Sequence, residues 1–555
     1  MAEQNKTDAL VKVVEEQSKL LEQMRKELAE DEQEEITETK YLRMRRLALQ
    51  AGTAAGAVAG AILGGVEAVG FMVELYETRA MAAEYATVAE EVYHVENNPE
   101  VAMNFMDMAI ELDDSPEYRT NKAYYQSMQV VRELVNLDRP YNQDELDRAQ
   151  ESLAQAILLK NLNPEQAEPH ILLGQLYIVL KQPDKALASL QEAVKIEPNN
   201  AFAHMRLATL LEQQNKDNEA LAELDQALKI DPNYKWAYLW KGVVMGEKLE
   251  KWPEARALYQ KSIDIDPRFD LAYYNLGWSY VNAEPADYGE ARKQFEKAIE
   301  IRPSYKEAFY GLGMMYGYQN EYGVAENYLG KAVSIDEDYL TGWKWRGVVR
   351  AEQQNWEGAL EDYSQAIALD PVNESLYLRR GFAYENLGQY NLAAADYRFS
   401  IQRNPNDPDA WLSQAGLSIK TKEFKSAAEQ IARAIELGAY EEDAVALRAK
   451  LHEQQGNIDE AIKDLSLAIK VATYRPERFL TSRADLYASK SQVDLALADY
   501  KKAREVNENH AEAWLGEGKA HIAKNDTAAA KTALTRYLEL KPQDEEARTL
   551  RDQLK

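Results

Sequence analysis

Histidines are the side chains in this chain best suited to metal or acid–base chemistry, and their spacing argues against both. His94, His170, His204, His452, His510 and His521 are scattered, with no H-E-x-x-H and no paired spacing that would place two ligands on one metal. The chain has no cysteine, which removes disulfides, zinc–thiolate sites and a lipid-modified N-terminal cysteine but leaves the redox compartment open. One further string could do chemistry. YGLGMMYG, residues 310–317, has glycines resembling a phosphate-binding loop. Such a loop follows a strand, whereas this string lies inside a helical pattern, so packing explains the glycines. No catalytic constellation, cofactor or metal is expected, and the chain is not expected to be an enzyme.

Those glycines belong to a larger order. Eleven segments repeat one pattern every 34 to 36 residues, starting at Ala167, Ala201, Lys235, Asp270, Lys306, Leu340, Glu374, Pro408, Glu442, Glu477 and Ala511. Position 20 of the unit is alanine in all eleven, allowing for short insertions: Ala186, Ala220, Ala255, Ala291, Ala325, Ala359, Ala393, Ala427, Ala461, Ala496 and Ala530. Position 8 is always small, as at Gly174, Gly242, Gly277, Gly313, Gly347, Gly381 and Gly518, with alanine elsewhere. Two helices whose axes approach to about 8–10 Å leave room only for Gly or Ala at the crossing. Each unit therefore predicts a helix A, a short turn and a helix B, stacked on copies of itself. Larger residues such as Leu190, Tyr259, Phe295, Tyr363 and Tyr397 fill the space between, and a proline after helix B stops it in seven units, among them Pro198, Pro267 and Pro405.

Segments such as AFAHMRLATLLEQQNKDNEALAELDQALKIDPNY resemble tetratricopeptide repeats over residues 167–544. The resemblance implies an all-α superhelical solenoid, about eleven clear units plus two divergent ones. Residues 82–118 keep Ala102, Met106 and Ala109 at the expected offsets. Residues 122–166 keep Ala149, Leu153 and Ala156 but carry a longer connection around Pro140. Together they give a divergent pair over 82–166. Residues 545–555 form a charged amphipathic helix suited to cap the last unit.

In that family helix A lines a concave groove through positions 2, 5, 9, 12 and 13. The resemblance then implies a partner-binding groove at Met205, Trp236, Leu239, Val243, Tyr274, Trp278, Tyr310, Met314 and Tyr318. Aromatic and Met side chains on an exposed face are what protein or peptide partners use as anchors. Trp252 and Trp356 fall at the A–B turn and are expected to pack the hairpin. Family members that clamp the carboxylate tails of chaperones use Lys at position 5 and Asn at positions 6 and 9. Lys344 and Asn275 occupy such positions, but not in adjacent units and without a position-9 asparagine. That binding mode is not expected.

The net charge of −28 over 555 residues argues against nucleic acid, because phosphate contacts need patches of Lys and Arg. The first 80 residues differ in kind from the rest. Within residues 1–40, Leu10, Val14, Leu21, Met24 and Leu28 fall at heptad spacing, giving an acidic amphipathic helix or a short coiled coil. Lys40, Arg43, Arg45 and Arg46 then precede an uncharged run over 47–66, with room for the helix to extend to 73, inside a segment 41–81. About 20 residues at 1.5 Å each match a hydrocarbon core, so the run reads as a transmembrane helix. Gly52, Gly56, Gly60 and Gly64 recur on one face of it, with Val58, Ile62, Val66 and Val69 opposite. Overlapping G-x-x-x-G motifs let helix backbones touch, which predicts self-association. Glu67 sits near the glycine face and marks either a coupling carboxylate or the interfacial end of the span.

These features predict a single-pass, membrane-anchored scaffold or adaptor. It would bind protein or peptide partners along its groove and oligomerise through its N-terminal helix. The basic flank predicts a cytoplasmic N-terminus with the repeats on the opposite side. Two other readings stay open: a membrane-active oligomer, channel or pore, regulated by its repeats, and a soluble oligomeric scaffold with the Gly/Ala helix buried between subunits.

Overall fold

Ten of the eleven helix A segments begin at the residue predicted from the repeat, and the eleventh begins one residue early, at Glu441. The computed structural model describes residues 78–90, 99–135, 137–472 and 475–554, all as helices joined by short turns; no strand occurs among them. These described residues divide into two units, those up to 137 together with 141–301, and 138–140 together with those from 302 onward. The 1–40 segment, the basic flank, the span over 47–66, Gly52, Gly56, Gly60, Gly64 and Glu67 lie outside the described residues. Among the residues that are described, no helix is long and apolar enough to cross a membrane.

The small positions do what close packing requires. All eleven position-20 alanines, from Ala186 to Ala530, are fully buried. A Cβ added to Gly174 would lie 2.5 Å from Leu190, and one on Gly347 would lie 2.7 Å from the Tyr363 ring. The same clash recurs at Gly242 with Tyr259, Gly277 with Phe295 and Gly381 with Tyr397. Position 8 of helix A is thus the seat for the large side chain at position 24 of helix B.

Ten of the eleven helix A segments end in the same way, the exception being Asp270–Val281. The residue at position 15 adopts the left-handed conformation in Lys181, Asn215, Gln354, Gly388, Lys422, Gly456 and Asn525, among others. The next N–H then donates back to a carbonyl five residues earlier, as Gln182 does to Tyr177 and Asn355 to Arg350 at 2.8 Å each. This Schellman closure satisfies carbonyls that the helix end leaves open. Glycine holds this position without strain only in Gly388 and Gly456.

In the first unit, helices Pro99–Leu112, Pro116–Val135 and Gln143–Leu162 precede the regular repeats. Asn142 and Glu145 close a reciprocal capping box at the start of the third. The Lys235 repeat carries one extra residue, and the helix absorbs it as a π turn at Val244–Lys248. Gly246 in that turn lies against the ring of Trp252, which packs the hairpin as expected.

A staple crosses the turn between successive repeats. The side chain at position 4 of helix A donates to the carbonyl six residues upstream. His204 does so to Pro198 at 3.0 Å, Trp343 to Glu337 at 2.8 Å, Tyr377 to Pro371 at 3.1 Å, Trp411 to Pro405 at 3.0 Å and Trp514 to Glu508 at 2.8 Å. His204 also places its Nδ1 2.5 Å from the Glu223 carboxylate. The Glu223 hydrogen bond outweighs burial and, with the Pro198 carbonyl, raises the pKa of this imidazole. A raised folded-state pKa makes the contribution full below the ordinary histidine range and lost as pH climbs through the folded-state value. We therefore expect the first unit's melting temperature to fall as pH rises above the ordinary histidine range, and a His204→Gln variant to lose most of that slope. Parallel slopes for the two proteins would refute the assignment.

The second unit adds a buried charge ladder. Arg346, Arg380, Arg448 and Arg483 at position 7 of helix A each bind, through two nitrogens, the aspartate sixteen residues later: Asp362, Asp396, Asp464 and Asp499. In the Ala167 and Ala201 repeats of the first unit, position 7 holds Leu173 and Leu207, both buried. The final helix, Glu545–Asp552, packs Ala547 against Tyr537 and Leu538 of helix Thr527–Leu540.

Candidate functional site

The helix A face carries the residues predicted to bind partners, and the structure sorts them into two classes. In the first unit Met205, Leu239 and Val243 are 2%, 1% and 8% exposed, and they belong to the core rather than to a surface. Met205 shares a core cluster with Leu224 and Ala237, and Leu239 and Val243 share one with Tyr259 and Ile263 of their own hairpin and with Phe269, Ala272 and Leu276 of the next repeat. Met314 of the second unit is likewise core, at 5%. An unbranched or aliphatic side chain at positions 5 and 9 has no polar end to keep wet, so it packs against whatever helix lies within reach.

The aromatic members are less deeply buried. Trp236 stands edge-on to Phe269 at 4.7 Å, and Trp278 edge-on to Phe295 at 5.7 Å. Tyr274 lies 6.0 Å from the same Phe295 ring. All three are half-buried. Such contacts fix a ring's orientation and are worth about 0.5–1.5 kcal/mol beyond area burial.

In the second unit Tyr310 is half-buried and edge-on to Tyr339 at 6.2 Å. Burial pushes its phenol up to about 12. Tyr318 is the most open of the predicted set, 55% exposed. Phe382, at position 9 of the Glu374 repeat, is 50% exposed and lies edge-on to Trp356 at 5.6 Å. Sequence reasoning missed it only because the groove positions were followed no further than the fifth repeat. Lys344 is half-buried among them, and desolvation lowers its ammonium pKa, with Arg379 adding to the effect. Its counterpart in the first unit, Asn275, donates its amide to the Leu271 carbonyl of its own helix at 2.8 Å. Tyr310, Tyr318, Lys344 and Phe382 thus hold groove positions in three successive repeats of the second unit, all of them half-buried or exposed. Among the described residues no cluster of His, Asp and Glu could hold a metal ion.

Profiles of the tetratricopeptide repeat match residues 141–201, 180–241, 271–305, 306–339, 378–444, 443–473 and 487–554, and a further TPR profile matches 347–388. The chain is a tetratricopeptide-repeat protein. Its solenoid is similar to the crystal structure of yeast Tom70, at 16% identity and a TM-score of 0.39, over 80% of this chain and 96% of that one. It is also similar to the APC/C hetero-tetramer Cut9–Hcn1, at 15% identity and a TM-score of 0.38, over 79% and 96% of the two chains. A tetratricopeptide repeat protein from Parabacteroides merdae matches at 21% identity and a TM-score of 0.38, over 45% of this chain and 98% of that one. No curated protein matches the sequence. TPR proteins bind protein partners, and this chain is read accordingly as an interaction scaffold.

Proposed function

We propose that this TPR protein binds an extended segment of a protein partner along the helix A face of its repeats. The observation that carries the reading is a pair of large rings left open at groove positions, Tyr318 at 55% and Phe382 at 50% exposure. Rings oriented by contact on one side and open on the other supply anchoring area at low entropic cost. Trp236, Tyr274 and Trp278 are half-buried rings at groove positions of the first unit. Photo-cross-linking from Tyr318 and Phe382 tests whether another polypeptide touches this face.

The N-terminal segment adds the second half of the proposal: an anchor that spans a membrane once and self-associates through Gly52, Gly56, Gly60 and Gly64, placing the repeats opposite a cytoplasmic N-terminus. It rests on the residue pattern. Gly56→Leu with Gly60→Leu raises hydrophobicity while blocking backbone contact. The double variant should stay in carbonate-washed membranes but lose the oligomers that cross-linking traps from the parent chain. Unchanged cross-linking would remove the glycines from the interface, and release by carbonate would favour the soluble scaffold.

A further inference from the structure

The segment Asp138–Pro140 belongs to the second unit although it stands far from it in sequence. Two anchors hold it there. The Asp138 carboxylate accepts the Thr341 backbone N–H at 2.6 Å and the Thr341 hydroxyl at 3.0 Å. The Arg139 guanidinium donates from Nε and Nη2 to Asp338, each at 3.0 Å. Thr341 is the second residue of helix Leu340–Glu352, where an N–H has no partner within the helix and the helix dipole favours an anion.

The place is not an arbitrary helix end. Thr341 and Lys344 hold positions 2 and 5 of the Leu340 repeat, and Tyr310 holds position 5 of the repeat before it. These are groove positions. Asp138 sits close enough to bias the ionisation of Tyr310, Glu307 and Lys344, and Lys306 and Lys344 in turn offset part of the cost of burying its charge. A carboxylate from 203 residues away in sequence therefore sits on the helix A face of two successive repeats.

We propose that Asp138–Arg139–Pro140 is a built-in occupant of the binding face, a strap that covers groove positions of the Lys306 and Leu340 repeats against outside ligands. This inference rests on the reading of the helix A face as the binding surface. It also specifies the competitor. A partner segment that presents a carboxylate followed by a guanidinium meets the same two anchors, Thr341 and Asp338, and takes the strap's place. Tyr318 and Phe382 then serve as the open anchors on which such a partner first lands.

The absence of cysteine from the chain makes the strap testable on the intact protein without a known partner. Lys344→Cys introduces a single thiol one turn of helix from the Thr341 anchor and within electrostatic reach of Asp138. Its reaction with a maleimide should be slow, and adding Asp138→Asn with Arg139→Ala should speed it about tenfold, as local opening becomes easier. A thiol at Phe382→Cys should react at the same rate with and without the strap changes. As a second measurement, Arg139→Cys with Asp338→Cys should cross-link within the chain through a short bis-maleimide, giving a faster-migrating band. Equal Lys344→Cys rates in the two backgrounds, or no intramolecular cross-link, would overturn the strap. Neither result depends on partner binding, so the helix A reading would remain standing. A confirmed strap with no partner cross-link at Tyr318 or Phe382 would instead remove that reading.

Discussion

Replacing Arg380 by Met should destabilise the second unit by about 3–5 kcal/mol, toward the lower end because the arginine edge is partly wet. Arg380 donates to both oxygens of Asp396, at 2.7 and 2.9 Å. Asp396 is only 6% exposed, so its carboxylate would be left buried without its counter-charge. The Asp396 hydrogen bonds also raise the Arg380 pKa, so the guanidinium stays charged throughout the accessible range. Arg380 lies 5.2 Å from the Tyr377 ring as well, and losing that contact adds about 0.5–1 kcal/mol. The pair itself need not be strongly stabilising. Arg380→Met with Asp396→Leu should recover most of the loss, since removing both charges leaves nothing unpaired. Arg346→Met should cost less than Arg380→Met, because Arg350 also reaches Asp362, at 3.1 Å. Urea titrations of the three variants check the order. Equal losses for the single and double changes at 380 and 396 would place the energy in packing rather than charge.

Gly347→Ala and Gly317→Ala should shift stability in opposite directions, though both substitutions are made within helix A. Alanine is the better helix former by about 1 kcal/mol, which by itself favours both changes. At Gly317 nothing lies within 4 Å of the new methyl group, so the gain should appear in full. At Gly347 the methyl would meet Tyr363 Cε1 at 2.7 Å and Cδ1 at 2.9 Å. Tyr363 is 3% exposed and its ring has nowhere to retreat. Overpacking of this kind costs about 1–3 kcal/mol, which exceeds the helical gain. Thermal melts should place Gly347→Ala below the parent and Gly317→Ala above it. A stabilised Gly347→Ala would mean that the crossing at position 8 is not close.

Ala359 and Gly347 were legible because a close helix crossing admits only one or two residue types, so the same types recur at a fixed interval. The starts of helix A were legible for the same reason. Arg380–Asp396 was not, although both residues stand in plain view. Polar side chains on a helix usually face water, and no hydropathy pattern marks the pair that turns inward. The position-4 staples of Trp343, Tyr377 and Trp411 escaped similarly, because only the geometry of the turn gives their polar ends a carbonyl six residues back. The groove was half legible. Position 9 holds Phe382 in the open and Val243 in the core, and the repeat pattern alone does not separate the two. The Asp138 strap was beyond reach, since its partners lie some two hundred residues away and no local spacing relates them.

Photo-cross-linking from the helix A face is the most direct test of the central claim that this surface binds a protein partner. A benzophenone side chain placed at Tyr318 or Phe382 should give a discrete adduct with another polypeptide when the full chain is irradiated in its native cells. Leu495, on helix Val493–Val506, supplies the control, because at 50% exposure it matches the two test positions yet lies on a helix B. Adducts at Tyr318 and Phe382 with none at Leu495 are the predicted result. Adducts of equal yield at all three positions, or at Leu495 alone, would contradict it.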